Sequence, residues 1–126
     1  MPEEQQISFK EMCARFEVTP RTLRYYEYIE LLSPRRDGRA RFYGPRETAR
    51  MTLILRGRRF GFSLEEIRQW LLIYEQKDSV QQHVAWLALA DRQLDVLDGQ
   101  IAELKAARDD LQALRDRTVA DMGDRS

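Results

Sequence analysis

The longest uninterrupted pattern in this chain of 126 residues lies near its C-terminal end and sets the strongest limit on the fold. Residues 80–118 contain no proline and one glycine, Gly99. One face of this segment repeats in alternating steps of three and four residues, the heptad pattern of a coiled coil. As a helix rising about 1.5 Å per residue, it would be roughly 58 Å long, too long to bury that face on a small domain. The face therefore needs a partner, most simply a second copy of the chain.

The seam of this coiled coil also predicts how two copies pair. Its positions are Val80, His83, Leu87, Ala90, Leu94, Leu97, Ile101, Leu104, Arg108, Leu111, Arg115 and Thr118. The expected dimerisation contacts are Leu87, Leu94, Leu97, Ile101, Leu104 and Leu111. In a parallel homodimer Arg108 would face Arg108, whereas one antiparallel register sets Arg108 against the small Ala90 and brings Asp91 near Lys105. The sequence therefore predicts an antiparallel coiled coil.

Two short helices are predicted near the N-terminus from their capping residues. Ser8 with Glu11 forms a capping box, and Thr19 is an N-cap followed by Pro20 at the first helical position. The few residues between the helices match the spacing of a helix-turn-helix. The second helix is expected to end near residues 31–32, because Ser33 precedes a proline and the residue before proline avoids helical geometry.

A hairpin and two further helices are predicted next. Asp37-Gly38 is a strong hairpin signal, followed by a short strand, so residues 34–45 read as a small β-wing. A third helix is expected from Pro45 to about residue 60, closed by Gly61. A second capping box, Ser63 with Glu66, opens a fourth helix over roughly residues 64–75.

The predicted fold is therefore mainly α. It consists of a winged helix-turn-helix domain with four helices and a β-wing over residues 1–76, a dimerisation helix over residues 79–118 that forms the antiparallel coiled coil, and a short flexible tail over residues 119–126. The lack of an apolar run at the N-terminus, and of any stretch approaching about 18 apolar residues, predicts a cytoplasmic protein without membrane contact.

Charge is distributed unevenly between the two halves. The chain has 21 Lys or Arg and 21 Asp or Glu, so its formal net charge is zero. Residues 10–60, however, carry thirteen basic against six acidic side chains, while residues 74–126 carry seven against eleven. The basic N-terminal half suits a polyanionic partner such as nucleic acid.

The second predicted helix has two faces with different chemistry. At about 100° per residue, Leu23 and Tyr26 lie on the side that packs. The opposite side carries two arginines and two tyrosines: Arg21, Arg24, Tyr25 and Tyr28. A solvated charged face is the commoner explanation for arginines on a helix. Tyrosines rarely collect on such a face, so contact with DNA phosphates and base edges is favoured.

Two further basic clusters follow this helix. The wing carries Arg35, Arg36, Arg39 and Arg41, and the third helix ends with Arg56, Arg58 and Arg59. An exposed hairpin can be basic for no other reason than exposure, and cations at a helix C-terminus are favoured by the helix dipole. The three clusters together favour nucleic-acid binding more strongly than any one of them.

The remaining distinctive residues indicate packing rather than chemistry. Cys13 is expected to pack as a small hydrophobe, and its being the only cysteine excludes a cysteine-rich zinc site within one chain. His83 is the only histidine and has no obvious partner for a metal site. Trp70, Tyr74 and Trp86 are expected in the core, with an aromatic effector pocket as the alternative. No phosphate loop or nucleophile elbow is present, so neither an enzyme, a cofactor nor a metal is expected.

The motifs RTLRYYEYIELLSP, GRARFY and LRGRRFGFSLEEI together resemble the N-terminal domain of the MerR family of bacterial transcription regulators. The resemblance covers roughly residues 7–75. It implies a winged helix-turn-helix homodimer that binds a near-palindromic promoter operator, bends and untwists the DNA, and acts on RNA polymerase. It also implies DNA-contacting residues on the recognition helix, in the wing and near a second wing: Arg21, Thr22, Arg24, Tyr25, Tyr26, Arg41, Tyr43, Arg56, Arg58 and Arg59.

The run LILRGRRFGFSLEEI is most similar to a branch of that family associated with genes for branched-chain amino acid and acyl-CoA breakdown. Two other functions stay open from the residues alone. One is an architectural DNA-binding protein without promoter function, and the other is a coiled-coil adaptor, which would leave the wing arginines without a role. The operator, the direction of regulation and the identity of any small-molecule effector do not follow from the sequence.

Overall fold

The computed structural model describes residues 5–76 and 79–125. The chain divides into two compact units, Met1–Trp86 and Leu87–Ser126. The elements in chain order are β1 (Ile7–Ser8), α1 (Phe9–Phe16), α2 (Pro20–Tyr28), β2 (Arg35–Asp37), β3 (Ala40–Tyr43), α3 (Pro45–Phe60), α4 (Leu64–Glu75) and α5 (Val80–Asp124). The predicted mainly α architecture with a small wing is confirmed.

The predicted helix starts are confirmed by their hydrogen bonds. At the start of α1, the Glu11 N–H donates to Ser8 Oγ at 3.1 Å, and the Ser8 N–H donates back to Glu11 Oε1 at 3.1 Å. The same reciprocal pair joins Ser63 and Glu66 at the start of α4. At α2 the Thr19 side chain accepts from the backbone N–H three residues on, with a proline at the first position. Each cap satisfies backbone donors that the helix itself leaves without a partner.

The end of α2 differs from the expectation of residues 31–32: the helix ends at Tyr28. Glu30 takes a left-handed conformation with φ 64°. Its N–H donates to the Glu27 carbonyl at 3.0 Å, and the Leu31 N–H donates to the Tyr26 carbonyl at 2.9 Å. These two bonds form a Schellman motif, which stops the helix before the proline exerts any effect.

The wing is a hairpin within a three-stranded antiparallel sheet of order β1-β3-β2. Asp37 pairs with Ala40, so the turn consists of residues 38–39, and Gly38 has φ 60° there. The hairpin is confirmed, but the third strand, β1, was not predicted. Because Ile7 pairs with Tyr43, the strand leading into α1 is hydrogen-bonded directly to the wing.

The core of the N-terminal unit lies where α1 and α3 pack on the sheet, with α2 packed against α1 and α4 packed against α3. Its fully buried large side chains are Met12, Leu23, Leu31, Leu32, Tyr43, Met51, Ile54, Ile67 and Leu71. Burying each of them contributes about 1.5–3 kcal/mol relative to exposure in water. Helices α3 and α4 approach closely at Gly57, where a Cβ would lie 2.7 Å from Ile67 Cγ1.

Helix α5 is one continuous helix with an exposed seam. Leu94, Ile101, Leu104 and Leu111 are 55–71% exposed, and Leu87 is also exposed, while Leu97 is half-buried. The helix runs to Asp124, so residues 119–124 are helical and do not form the expected flexible tail. No proline interrupts this stretch, so nothing in it breaks the helix. Among the described residues, no helix combines the length and apolarity needed to cross a membrane.

Candidate nucleic-acid interface

Helix α2 buries and exposes the side chains that its rotation predicts. Leu23 is fully buried and Tyr26 is 6% exposed, so both belong to the core. Tyr28 is 83% exposed and Tyr25 is half exposed. Arg21 and Arg24 are exposed on the same side as these two tyrosines. An exposed tyrosine without a buried ring is not held there by packing, which leaves this face open for a ligand.

Two shallow concavities connect α2 to the other basic clusters. The first, of about 500 Å³, is lined by Arg21, Thr22, Arg24, Tyr25, Tyr26, Tyr28, Arg58 and Leu64. It joins α2 to the end of α3 and the start of α4. The second, of about 320 Å³, joins α2 to the wing and is lined by Arg24, Glu27, Tyr28, Arg36 and Arg41. Arg24 and Tyr28 border both, so the three clusters form one continuous basic face, which we call the basic face.

Aromatic rings support several guanidinium groups of the basic face. Arg24 and Arg41 lie 5.4 and 5.3 Å from the ring centre of Phe9, and Arg35 lies 5.0 Å from that of Phe42. Such cation–π contacts orient a guanidinium while leaving its N–H donors free for another acceptor. Phe9 was not among the residues predicted for the site. No local motif marks it, because its role depends on where α1 packs.

Tyr43, expected as a DNA contact of the wing, is a core residue. Its side chain is fully buried, and its hydroxyl donates to Glu27 Oε2. Arg41 Nε lies 3.3 Å from Glu27 Oε1, and the side chains of Arg41 and Glu27 are 27% and 7% exposed. Burial, reinforced by the hydrogen bond to the Glu27 carboxylate, raises the pKa of Tyr43 far above its ordinary value. Tyr43 is therefore not available for direct contact, and Glu27, which was not predicted, joins the wing to α2.

Three arginines of α3 and α4 that lie outside the basic face are paired with protein groups. Arg46 and Arg50 both bind the Glu75 carboxylate, at 3.0 and 2.5 Å, and Arg50 also donates to the Leu31 carbonyl at 2.9 Å. Arg68 donates to a backbone carbonyl and pairs with a glutamate of its own helix. These guanidinium groups hold α3 and α4 to the remainder of the unit.

Most arginines of the basic face, in contrast, have no carboxylate partner in the part of the chain that the structure describes. Within the described residues no ion pair is formed by Arg21, Arg24, Arg35, Arg36, Arg39, Arg56, Arg58 or Arg59. Arg56 lies 5.9 Å from the ring centre of Phe60, and all three arginines of the third cluster are exposed. Unpaired cations concentrated on one surface repel each other, and an anionic ligand relieves that repulsion.

The remaining candidates occupy different places. Cys13 is half-buried in α1, and the burial raises the pKa of its thiol, which keeps it protonated at neutral pH. Trp70, expected in the core, is buried, whereas Tyr74 is half exposed and His83 is exposed. These three side chains and Trp86 line a common cavity away from the basic face.

Comparison with protein-family models gives two matches. The family described as "MerR HTH family regulatory protein" matches residues 7–72, and the family described as "MerR, DNA binding" matches residues 48–114. The HTH-type transcriptional regulator HmrR of Rhizobium leguminosarum bv. viciae is 36% identical over 109 residues, covering 86% of this chain and 83% of HmrR. The HTH-type transcriptional regulator ZntR of Escherichia coli K12 is 33% identical over 110 residues, covering 84% of this chain and 76% of ZntR.

Solved structures with the same fold include two regulators. PbrR691 from Ralstonia metallidurans CH34, solved in complex with lead(II), superimposes with a TM-score of 0.64 at 28% identity, covering 85% of this chain and 83% of PbrR691. HiNmlR, a regulator lacking the sensor domain and bound to promoter DNA, gives a TM-score of 0.63 at 23% identity, covering 83% and 80%. The second likeness shows the fold alone.

Proposed function

Since the chain belongs to the MerR family of helix-turn-helix regulatory proteins, we propose that it is a transcription regulator that binds promoter DNA as a homodimer. It acts on DNA in the cytoplasm and is a regulator rather than an enzyme. The observation that carries the proposal is the basic face, where eight arginines that have no carboxylate partner among the described residues share a surface with the exposed tyrosines of α2. Phosphate contacts from such side chains supply most of the affinity for DNA, and base contacts supply the specificity.

Each part of the basic face has a separate role in this proposal. Helix α2 enters the major groove with its four exposed side chains, Arg21, Arg24, Tyr25 and Tyr28, while Thr22 borders the same concavity. The wing grips the backbone through Arg35, Arg36 and Arg39, and the end of α3 does so through Arg56, Arg58 and Arg59. Arg41, Tyr26 and Tyr43 act mainly by holding α2 and the wing in place. Two copies bound to a near-palindromic operator would bend and untwist the promoter, which changes its use by RNA polymerase.

Salt dependence of binding tests this assignment. The DNA is a fragment carrying the region upstream of the protein's own operon. Replacing Arg24 by alanine removes one phosphate or base contact, so we expect weaker binding and, for a phosphate contact, a slope of log K against log salt that is smaller by about 1. Arg46→Ala is the matched control, because Arg46 is exposed but bound to Glu75. Equal affinity and slope in the wild type and the Arg21→Ala and Arg24→Ala variants would remove α2 from the interface.

Dimerisation through α5 is supported by its exposed seam, since an apolar stripe of this length is unstable in water without a partner. We propose antiparallel pairing, with the dimerisation contacts named from the heptad pattern. In a Cys13→Ser background, a mixture of Ala90→Cys and Arg108→Cys chains is expected to cross-link between positions 90 and 108. Products joined only between two copies of position 108 would show parallel pairing.

Two other functions can be distinguished from the proposed one by transcription and DNA-binding assays. An architectural DNA-binding protein would share the basic face but leave promoter use unchanged, so run-off transcription with RNA polymerase distinguishes it from a regulator. A coiled-coil adaptor would leave the basic face without a role, and the gel shift with promoter DNA distinguishes it.

The similarity of residues 53–67 to one branch of the family supports a finer proposal. The regulated genes would serve the breakdown of branched-chain amino acids and acyl-CoA.

Metal sensing, suggested by the lead(II) complex of PbrR691, does not match the donor groups of this chain. Soft metal ions are bound in proteins by several thiolates or imidazoles. This chain has one cysteine, Cys13, and one histidine, His83. Across the described residues, no three His, Cys, Asp or Glu side chains are grouped so that they could hold an ion. The residues present therefore do not fit a thiolate metal site.

A further inference from the structure

A cavity of about 340 Å³ lies between the C-terminal half of α4 and the start of α5. It is lined by Trp70, Ile73, Tyr74, His83 and Trp86, all within the N-terminal unit. This volume is at the lower end of the roughly 300–1,000 Å³ typical of small-molecule sites. None of the five lining residues is part of the basic face, so the cavity has no assigned role in DNA binding.

The lining combines aromatic surface with two polar groups. Trp70 and Trp86 stack face to face, with ring centres 5.0 Å apart and planes 10° apart. Among the described lining residues, the Tyr74 hydroxyl and the His83 imidazole are the hydrogen-bonding side-chain groups besides the indole N–H groups, and none is a carboxylate, lysine or arginine. Mostly apolar walls with a few convergent polar groups are characteristic of a site for a small organic ligand.

Size and shape decide between a small molecule and a protein segment as the occupant. A helix with its side chains is about 10–12 Å across and presents a continuous apolar stripe to its partner, whereas this cavity is a single depression bordered by five of the described residues. Aromatic walls bind flat rings through stacked and edge contacts. We propose that the cavity is an effector site for a planar aromatic small molecule that carries one hydrogen-bonding group, held by His83 or Tyr74. The role of this ligand as an effector rests on the proposed regulatory function.

The cavity is connected to the basic face by touching aromatic rings. Trp70 contacts Phe62 edge-on, with ring centres 5.8 Å apart, and contacts Phe60 at 6.1 Å. Phe60 in turn lies beneath Arg56, 5.9 Å from its guanidinium. A ligand that moves the indole of Trp70 therefore acts on the end of α3, which carries the third arginine cluster. This is the coupling that an effector needs in order to change DNA affinity.

The composition of the chain provides two direct reporters of this site. It contains one histidine and two tryptophans, and all three line the cavity. The full chain is titrated with benzamide and benzoate as planar probes, and with cyclohexanecarboxylate as a saturated control for benzoate. We expect saturable shifts of the single set of imidazole resonances and saturable quenching of tryptophan fluorescence with a planar probe. We expect no saturation with the control.

Variants locate the binding and keep the proposal falsifiable. Ile73→Phe fills the cavity, and we expect it to weaken probe binding at least tenfold. If the imidazole holds the polar group of the probe, His83→Ala weakens binding. If the Tyr74 hydroxyl holds it, Tyr74→Phe weakens binding. Gln81→Ala, an exposed change on the same helix outside the lining, is expected to bind as the wild type does. Absence of saturation, or equal binding by Ile73→Phe, overturns the site. Reporter signals that change on protein dilution but not with the probe would instead assign the cavity to a second copy of the chain, and also overturn it.

The same titration repeated with promoter DNA separates the two proposals. Failure of the chain to bind DNA, with probe binding intact, refutes the proposed function and leaves the cavity as a ligand site. Intact DNA binding without probe binding refutes the ligand site alone. If both occur, a saturating planar probe is expected to change DNA affinity at least threefold. Unchanged affinity would refute the role of the ligand as an effector.

Discussion

Replacing Tyr43 by phenylalanine removes a single oxygen atom from the contact between the wing and α2. The ring is fully buried, and its hydroxyl donates to the carboxylate of Glu27, which is itself only 7% exposed. Tyr43→Phe keeps the packing of the ring and leaves Glu27 with its ion pair to Arg41. A hydrogen bond to a charged group contributes about 1.5–3 kcal/mol, so the free energy of unfolding at pH 7 should fall by about that amount.

The effect of this substitution should depend on pH in a defined direction. Burial and the Glu27 carboxylate raise the pKa of Tyr43 well above the value of 10.0 that it has in the unfolded chain. Because the folded pKa is the higher one, the stabilisation is complete below pH 10 and is lost as the pH rises above it. One proton is then released on unfolding, which costs stability at about 1.4 kcal/mol per pH unit. The difference between wild type and Tyr43→Phe should therefore shrink by about 1.4 kcal/mol by pH 11.

Urea unfolding followed by circular dichroism between pH 7 and pH 11 measures both effects, at one fixed protein concentration because association changes apparent stability. Tyr28→Phe is the matched control, since Tyr28 is 83% exposed and should stay within about 0.5 kcal/mol of the wild type throughout. A Tyr43→Phe variant as stable as wild type at pH 7 would refute the buried hydrogen bond. A difference that stays constant up to pH 11 would refute the raised pKa.

Four further substitutions have expected outcomes. Gly57→Ala places a methyl group 2.7 Å from Cγ1 of the fully buried Ile67 and should cost about 1–3 kcal/mol in urea unfolding. Gly99→Ala meets nothing within 4 Å inside α5 and should stabilise the chain by up to about 1 kcal/mol. Leu104→Asp should convert dimer to monomer in sedimentation velocity. Hydrogen bonds at the α1 cap lower the pKa of Glu11 below its ordinary 4.5. The stabilisation by the Glu11 carboxylate is therefore present above pH 4.5 and is lost as the pH falls. In Glu11→Gln the free energy of unfolding should fall less steeply with decreasing pH below 4.5.

Local chemistry explains why most helix boundaries could be predicted. A capping box involves residues only three positions apart, so Ser63 and Glu66 define the start of α4 without information from the remainder of the chain. The stop of α2 is different, because its left-handed residue is Glu30 and not the glycine that usually marks such a stop. Strand β1 was also missed, since two residues acquire strand structure only by pairing with β3, which is distant in the sequence.

The candidate site, like the helix boundaries, has features that the sequence could predict and features that it could not. Helix rotation alone separated the buried Leu23 from the exposed Tyr28, because a period of 3.6 residues fixes which side chains share a face. The sequence could not show that Tyr43 is buried, since strand β3 is too short for an alternating pattern of apolar and polar residues to be distinctive. Nor could it show that the hydroxyl of Tyr43 binds Glu27, because that contact exists only once the sheet packs on α2.

The arginines show most clearly why charge counted along the sequence is an incomplete guide to a nucleic-acid interface. Arg50 and Arg58 both lie on α3 and look alike in sequence, but Arg50 is neutralised by Glu75, whose position beside it depends on the packing of α4 against α3. Arg58 has no carboxylate within reach in the described chain and borders the concavity that contains α2. Pairing between distant residues thus removes some cations from the surface potential and leaves others. The cations that remain unpaired coincide with the exposed tyrosines of α2, and DNA is the ligand whose phosphates and base edges match both.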